Sequence, residues 1–93
     1  MCGDPDAADP YYGGFDKSKV SPISCPDNLA FDKYGNLWIS TDGNALDSND
    51  GLFAGALDGP NRGETRQFLT VPLGGETCGP TVSADLVTVC VQH

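Results

Sequence analysis

The chain has 93 residues, of which 39% are hydrophobic and 19% charged, so it is short enough for one domain and too apolar to be disordered by composition. Its formal net charge of -8 repels nucleic-acid phosphates and anionic membrane surfaces, and we expect neither as a partner. Divalent cations are more plausible ligands. The chain lacks a run of the roughly 18 apolar residues that a membrane-spanning helix needs, and its start lacks the pattern of a secretion signal.

Residues 1–26 are rich in Asp, Pro and Gly and are predicted to form an irregular leader segment. Prolines interrupt any helical period there. The remaining residues, 27–93, are predicted to form the strand-bearing part of the chain.

A first β-hairpin is predicted over residues 28–42. Apolar and polar residues alternate over residues 29–31, a turn follows at residues 32–36, and residues 37–41 are again typical of a strand. Trp38 lies in the second strand, and we expect it to be buried against a neighbouring sheet. A polar loop rich in Asn, Asp and Gly then covers residues 42–51.

Two more hairpins follow. One joins residues 52–57 to residues 65–71, and the other joins residues 81–82 to residues 86–91. The last strand is β-branched and apolar on both faces, so it is predicted to be the most buried strand. Since no stretch resembles a capped amphipathic helix, the predicted fold is an all-β antiparallel meander.

Strand–turn–strand units at this spacing are typical of β-propeller blades. The chain is long enough for about two blades, whereas a propeller closes with about four to eight. We therefore expect it to be a fragment of a larger protein, whose exposed strand edges favour self-association.

The cysteines leave three alternatives open. No two of the four cysteines form a Cys-x-x-Cys pair, which disfavours a zinc site. Free or structural thiols are favoured over one or two disulfides in an oxidising compartment. The four positions are Cys2, Cys25, Cys78 and Cys90.

Several motifs together resemble the PhoX-type alkaline phosphatases. They are Pro-Asp-Asn-Leu-Ala-Phe-Asp at residues 26–32, Gly-Asn-Leu-Trp-Ile-Ser-Thr-Asp-Gly at 35–43, Gly-Glu-Thr-Cys-Gly-Pro at 75–80 and Val-Gln-His at 91–93. The resemblance covers nearly the whole chain and corresponds to the C-terminal portion of a typical family member.

The resemblance implies a secreted or periplasmic β-propeller that hydrolyses phosphate monoesters with bound calcium and iron. Glu76 matches the glutamate of the family's Gly-x-Glu-x-x-Gly segment and is expected to be a metal ligand. Asp27 and Asp42 match acidic positions at strand ends and are candidate calcium ligands. The family's phosphate-contacting arginine and iron-binding cysteine are expected upstream of this chain, so no catalytic residue is assigned and the chain alone is expected to be inactive.

Two alternatives remain. One is a fragment of a calcium-dependent lactonase-like propeller, and the other is a small acidic calcium-binding β-module. Asp47, Asn49 and Asp50 supply oxygen atoms but do not match the spacing of an EF-hand, so they are predicted to form a solvated loop or Asx-turns.

Overall fold

The computed structural model describes residues 16–43 and 49–93, which form a short 3-10 helix and six strands. The 3-10 helix is Lys17–Lys19, and the strands are β1 (Pro26–Phe31), β2 (Leu37–Thr41), β3 (Gly51–Gly55), β4 (Thr65–Thr70), β5 (Glu76–Val82) and β6 (Val87–Gln92). Within the described ranges, no helix has the length and apolar character needed to cross a membrane.

The strands form two antiparallel sheets. The first has the order β1-β2-β3-β4, so each strand pairs with its neighbour in the chain, and the second is the hairpin β5-β6. The prediction of an all-β antiparallel meander is confirmed. Two such sheets are compatible with two propeller blades. The predicted boundary between an irregular leader, residues 1–26, and a strand-bearing part, residues 27–93, stays a prediction. Residues 1–15 of that leader lie outside the described residues.

The turn of the first hairpin is organised by Asp32. Its carboxylate accepts hydrogen bonds of 2.9 Å from the backbone N–H groups of Tyr34 and Asn36, and one of 3.1 Å from the Trp38 indole. Desolvation opposes ionisation of Asp32, but hydrogen bonds from Asn36, Trp38 and Tyr34 outweigh it and lower the carboxyl pKa to about 2. Gly35 completes the turn with a φ of 85°, which a residue with a Cβ adopts at a cost.

The core lies around β3. This strand is flanked by β2 and β4 and covered by β5, and its residues are almost all buried. The buried apolar side chains are Ile23, Leu52, Phe53 and Val71.

The prediction that the last strand is the most buried was wrong. β6 is the outer strand of a two-stranded sheet, and most of its residues are exposed, including Val91 at 52%. A β-branched composition favours a pleated strand whether or not both faces are covered, so the pattern predicted the strand correctly and its burial incorrectly.

Trp38 is half-buried, whereas the sequence predicted a buried position. Its ring meets Phe68 of the same sheet edge-to-face, with ring centroids 5.2 Å apart.

Strand β5 begins earlier than predicted, at Glu76, and tolerates Pro80 because the register shifts between Cys78 and Thr81. Such a bulge is one of the few places within a strand where proline fits.

The outer edge of β4 is partly covered by the segment that precedes β1. Val20 forms a parallel bridge with Thr65, and the backbone N–H of Ser21 donates to the Thr65 carbonyl over 3.1 Å. The Ser21 hydroxyl in turn accepts a 3.1 Å hydrogen bond from the N–H of Gln67. These contacts satisfy backbone groups that an edge strand would otherwise leave open to another chain.

Candidate functional site

A polar cleft opens where β2 and β3 meet the start of β5. Its volume is about 460 Å³, and it is lined by the ends of the β2–β3 loop and by the segment between β4 and β5. The lining residues are Asp42, Gly43, Asn49, Asp50, Leu73, Gly74, Gly75 and Glu76. Two of the predicted metal ligands, Asp42 and Glu76, therefore share one cleft.

Asp42 is held at the mouth of this cleft by its backbone. Its N–H donates a 3.0 Å hydrogen bond to the carbonyl oxygen of Cys25, and its side chain is exposed. Cys25 has a φ of 47°, an uncommon conformation for a residue with a side chain. The unusual backbone of Cys25 thus fixes the point at which the chain leaves β2.

Glu76 begins β5 and reaches the side chain of Asp42. A hydrogen bond between the two carboxyl groups raises the pKa of Glu76, and desolvation and the negative charges of Asp42, Asp27 and Asp50 raise it further. These surroundings therefore favour the protonated form of Glu76. A bound cation would relieve the same repulsion between ionised carboxylates.

Asp50 has a structural role that the sequence did not indicate. It is only 7% exposed, and it accepts a 2.7 Å hydrogen bond from the Thr41 hydroxyl and 3.0 Å hydrogen bonds from the Gly43 N–H at both carboxylate oxygens. The prediction of a solvated position for Asp50 was wrong, because these donors bury it. Asp47 lies outside the described residues.

A buried hydrogen-bond network around Thr77 joins the chain neighbours of three residues that line the cleft, Asp42, Asp50 and Glu76. The Thr77 hydroxyl donates to the carbonyl of Gly51 over 2.7 Å and accepts a 3.3 Å hydrogen bond from the N–H of Thr41. The Thr41 hydroxyl also accepts from the Gly51 N–H over 3.0 Å. Among the described residues, every buried side-chain nitrogen or oxygen has a hydrogen-bond partner, so the network is fully satisfied.

Sequence reasoning missed Thr41 and Thr77. Threonine is common on both faces of strands, so no local signal separates a bridging hydroxyl from an exposed one. The only available hint for Thr77 was its place directly after Glu76 in the family motif.

Asp27, the third predicted ligand, lies on β1 with an exposed side chain. Its negative charge acts on Glu76, but its carboxylate does not complete a binding site with the other two. In residues 16–43 and 49–93, no group of three acidic, thiol or imidazole side chains is arranged to hold a metal ion. The structure thus pairs Asp42 with Glu76 and leaves Asp27 nearby, and metal binding by the three stays a prediction.

The carboxylate oxygens in the cleft are ligands of the kind that hard cations prefer. Carboxylate oxygens suit calcium, which takes about six to eight oxygen ligands in flexible geometry. Two carboxylates fit part of such a coordination shell, and the other ligands would have to come from other groups.

Cys78 lies two residues after Glu76 on β5. Desolvation raises the pKa of its thiol, and the nearby Cys90, Glu76, Asp27 and Asp42 raise it further. Cys25, Cys78 and Cys90 are free thiols in the structure, and Cys2 lies outside the described residues. The choice between free thiols and disulfides stays a prediction.

The fold and the cleft together define an all-β protein with a carboxylate pair at the ends of its strands. The family model described as alkaline phosphatase PhoX matches residues 1–93, the whole of the chain. The chain therefore belongs to the PhoX alkaline phosphatase family, whose members are metal-dependent phosphatases and are generally exported. Comparison with curated proteins gives no match, and neither does comparison with solved structures.

Proposed function

We propose that this chain supplies calcium ligands to the active site of an exported phosphatase that hydrolyses phosphate monoesters. The observation that carries the proposal is the pairing of Asp42 and Glu76 in one cleft, in a chain that matches the PhoX family along its whole length. The Gly-Glu-Thr-Cys-Gly-Pro motif supports the same assignment, because it contains Glu76.

In this proposal Asp42 and Glu76 bind calcium directly, and Asp27 contributes negative charge or a further ligand. Bound cations would neutralise the phosphate dianion and lower the pKa of a coordinated water. The chain needs such cations, because its net charge of -8 would otherwise repel a phosphate ester. Iron is proposed for the complete active site, with ligands from outside this chain.

The chain alone is proposed to be inactive. Its five basic residues are scattered along the sequence and suggest no phosphate clamp. Arg66, moreover, is paired with Glu64 through its guanidinium group. Turnover is therefore proposed to need a longer family member that supplies the phosphate-binding and iron-binding groups.

The proposal is tested by titrating the isotope-labelled chain with calcium and following its backbone amide signals. Saturable shifts that converge on Asp27, Asp42 and Glu76 are expected. Glu76→Gln should abolish them, whereas Asp85→Asn, which removes the same charge from an exposed turn, should leave them unchanged. Weak shifts spread over the surface, equal in the wild-type chain and Glu76→Gln, would contradict calcium binding at the cleft.

Two activity measurements complete the test. Hydrolysis of a phosphate monoester by the isolated chain, with calcium and iron added, would contradict its proposed inactivity. A longer protein containing this chain should hydrolyse phosphate monoesters and lose activity with Glu76→Gln. If that protein ignored phosphate esters, the phosphatase assignment would be wrong.

The family match disfavours the lactonase-like alternative. A Glu76→Gln variant of the longer protein also separates the two, because a lactonase-like enzyme should retain its activity.

A further inference from the structure

Two cysteines lie directly opposite each other across the second sheet. In the antiparallel register of β5 and β6, Cys78 pairs with Cys90, and the neighbouring pairs are Thr77 with Val91 and Glu76 with Gln92. Side chains of directly opposed residues point to the same face of a sheet. The two thiols are therefore neighbours through the register of the strands.

The spacing of opposed strand residues suits a disulfide. Opposed Cα atoms in an antiparallel pair lie about 4.5 or 5.5 Å apart, depending on the hydrogen-bonding pattern. Disulfide-bonded cysteines have Cα atoms about 4.4 to 6.8 Å apart, a range that includes both values. A bulge follows Cys78 on β5, and Cys78 and Cys90 remain directly paired beside it.

We propose that Cys78 and Cys90 form a cross-strand disulfide when the chain meets a disulfide oxidant. Cys25 is not the partner of either thiol in this arrangement. Its sulfur lies beside Gly43, so close that a Cβ added to that glycine would be 2.8 Å from it. An exported protein also meets the oxidising conditions under which such bonds form and persist.

The exposure of the two thiols sets the order of the reaction. Cys90 is exposed and Cys78 is half-buried, so an external disulfide such as oxidised glutathione reaches Cys90 first. The Cys90 thiolate attacks one sulfur of glutathione disulfide, forms a mixed disulfide and releases one glutathione thiol. Cys78 then gives up its proton and attacks the Cys90 sulfur, which releases the second glutathione. Two protein thiols are oxidised, and one glutathione disulfide is reduced to two thiols.

The positions of lysine and arginine provide a clear test. Arg66 is the last lysine or arginine in the sequence, so trypsin releases residues 67–93 as one peptide that carries both Cys78 and Cys90. After incubation with glutathione disulfide, alkylation and digestion without reductant, this peptide should be lighter by two hydrogens and carry no alkyl group. A disulfide to Cys2 or Cys25 would instead link it to a different tryptic peptide.

Matched variants complete the experiment. Cys78→Ser and Cys90→Ser should each abolish the internal disulfide, whereas the double variant Cys2→Ser with Cys25→Ser should retain it. A peptide 67–93 of the wild-type chain that is alkylated at both cysteines after oxidation would overturn the proposal, as would one linked to another peptide. Because the wild-type measurement decides the question alone, misfolding of a variant does not affect it.

Discussion

The Thr77 hydroxyl donates a 2.7 Å hydrogen bond to the carbonyl oxygen of Gly51 and so joins the β5–β6 hairpin to the central strand of the core. Thr77 has no exposed surface, and the same hydroxyl accepts a hydrogen bond from the N–H of Thr41. Thr41 precedes Asp42, and Thr77 follows Glu76. The buried hydroxyl therefore also aligns the two carboxylates of the cleft.

Replacing Thr77 with valine keeps the shape of the side chain and removes the hydroxyl. The Gly51 carbonyl and the Thr41 N–H then lose their partner in a buried site, so the free energy of unfolding should fall by about 1–3 kcal/mol. Urea denaturation measures this. Thr81→Val, on the exposed part of the same strand, should change it by less than about 0.5 kcal/mol. Equal effects of the two variants would show that the Thr77 hydroxyl does not join the sheets.

Glycine is required at the start of β3 by close packing against β4. A Cβ at Gly51 would overlap the carbonyl oxygen of Leu69, which belongs to the backbone and cannot rotate away. Gly51→Ala should therefore lower the free energy of unfolding by about 1–3 kcal/mol. At Gly55, on the same strand, the nearest atom is a Thr65 methyl carbon at 3.5 Å, so Gly55→Ala should be tolerated. The prediction fails if the two alanines have the same effect on thermal unfolding.

The turn aspartate predicts an acid-dependent loss of stability. The pKa of Asp32 is about 2 in the folded chain, against about 3.9 when unfolded. A lowered pKa contributes stability above the unfolded value, and that contribution disappears as pH falls from about 4 to about 2.

Asp32→Asn should therefore lower the Tm at neutral pH, and the difference from the wild-type chain should shrink across this pH range. Thermal melts at several pH values measure it, with Asp85→Asn as the control of equal charge change. A difference that stays constant down to the lowest pH would mean that the ionised carboxylate does not stabilise the turn.

Glu76 predicts the opposite pH dependence. The pKa of Glu76 is raised in the folded chain, so its protonated form favours folding and this stabilisation is lost as pH rises through the folded pKa. Glu76→Gln mimics the protonated acid and should raise the Tm at neutral pH in the absence of calcium. The two chains should converge at acid pH, where Glu76 is protonated in the folded and unfolded states.

Calcium should reverse this order of stability. The wild-type chain should gain Tm with calcium while Glu76→Gln does not, because binding to the folded state stabilises it. Asp85→Asn should respond to calcium as the wild-type chain does. If Glu76→Gln had a lower Tm than the wild-type chain at neutral pH without calcium, the carboxyl pair would not be repulsive.

The first hairpin was predictable because its determinants are local. The Asp32 carboxylate bonds to residues two, four and six positions ahead, so the sequence pattern carries the turn. The burial of Thr77 and Asp50 depends on strands far apart in sequence, which a local pattern does not encode. Glu76 was predicted as a ligand from the family resemblance. Its contact with Asp42 depends on the packing of β5 against β2, two strands that are far apart in sequence.

The order of contacts along the chain has a consequence for the rate of folding. Strands β1 to β4 pair with their sequence neighbours, whereas the Thr41–Thr77 contact joins residues 36 positions apart. Local pairings close short loops and form early, so we expect the transition state to contain the four-stranded meander with the last hairpin still undocked. Thr77→Val should then leave the folding rate almost unchanged and accelerate unfolding. The lifetime of the native state would therefore be set by the contacts that hold the last hairpin against the four-stranded sheet.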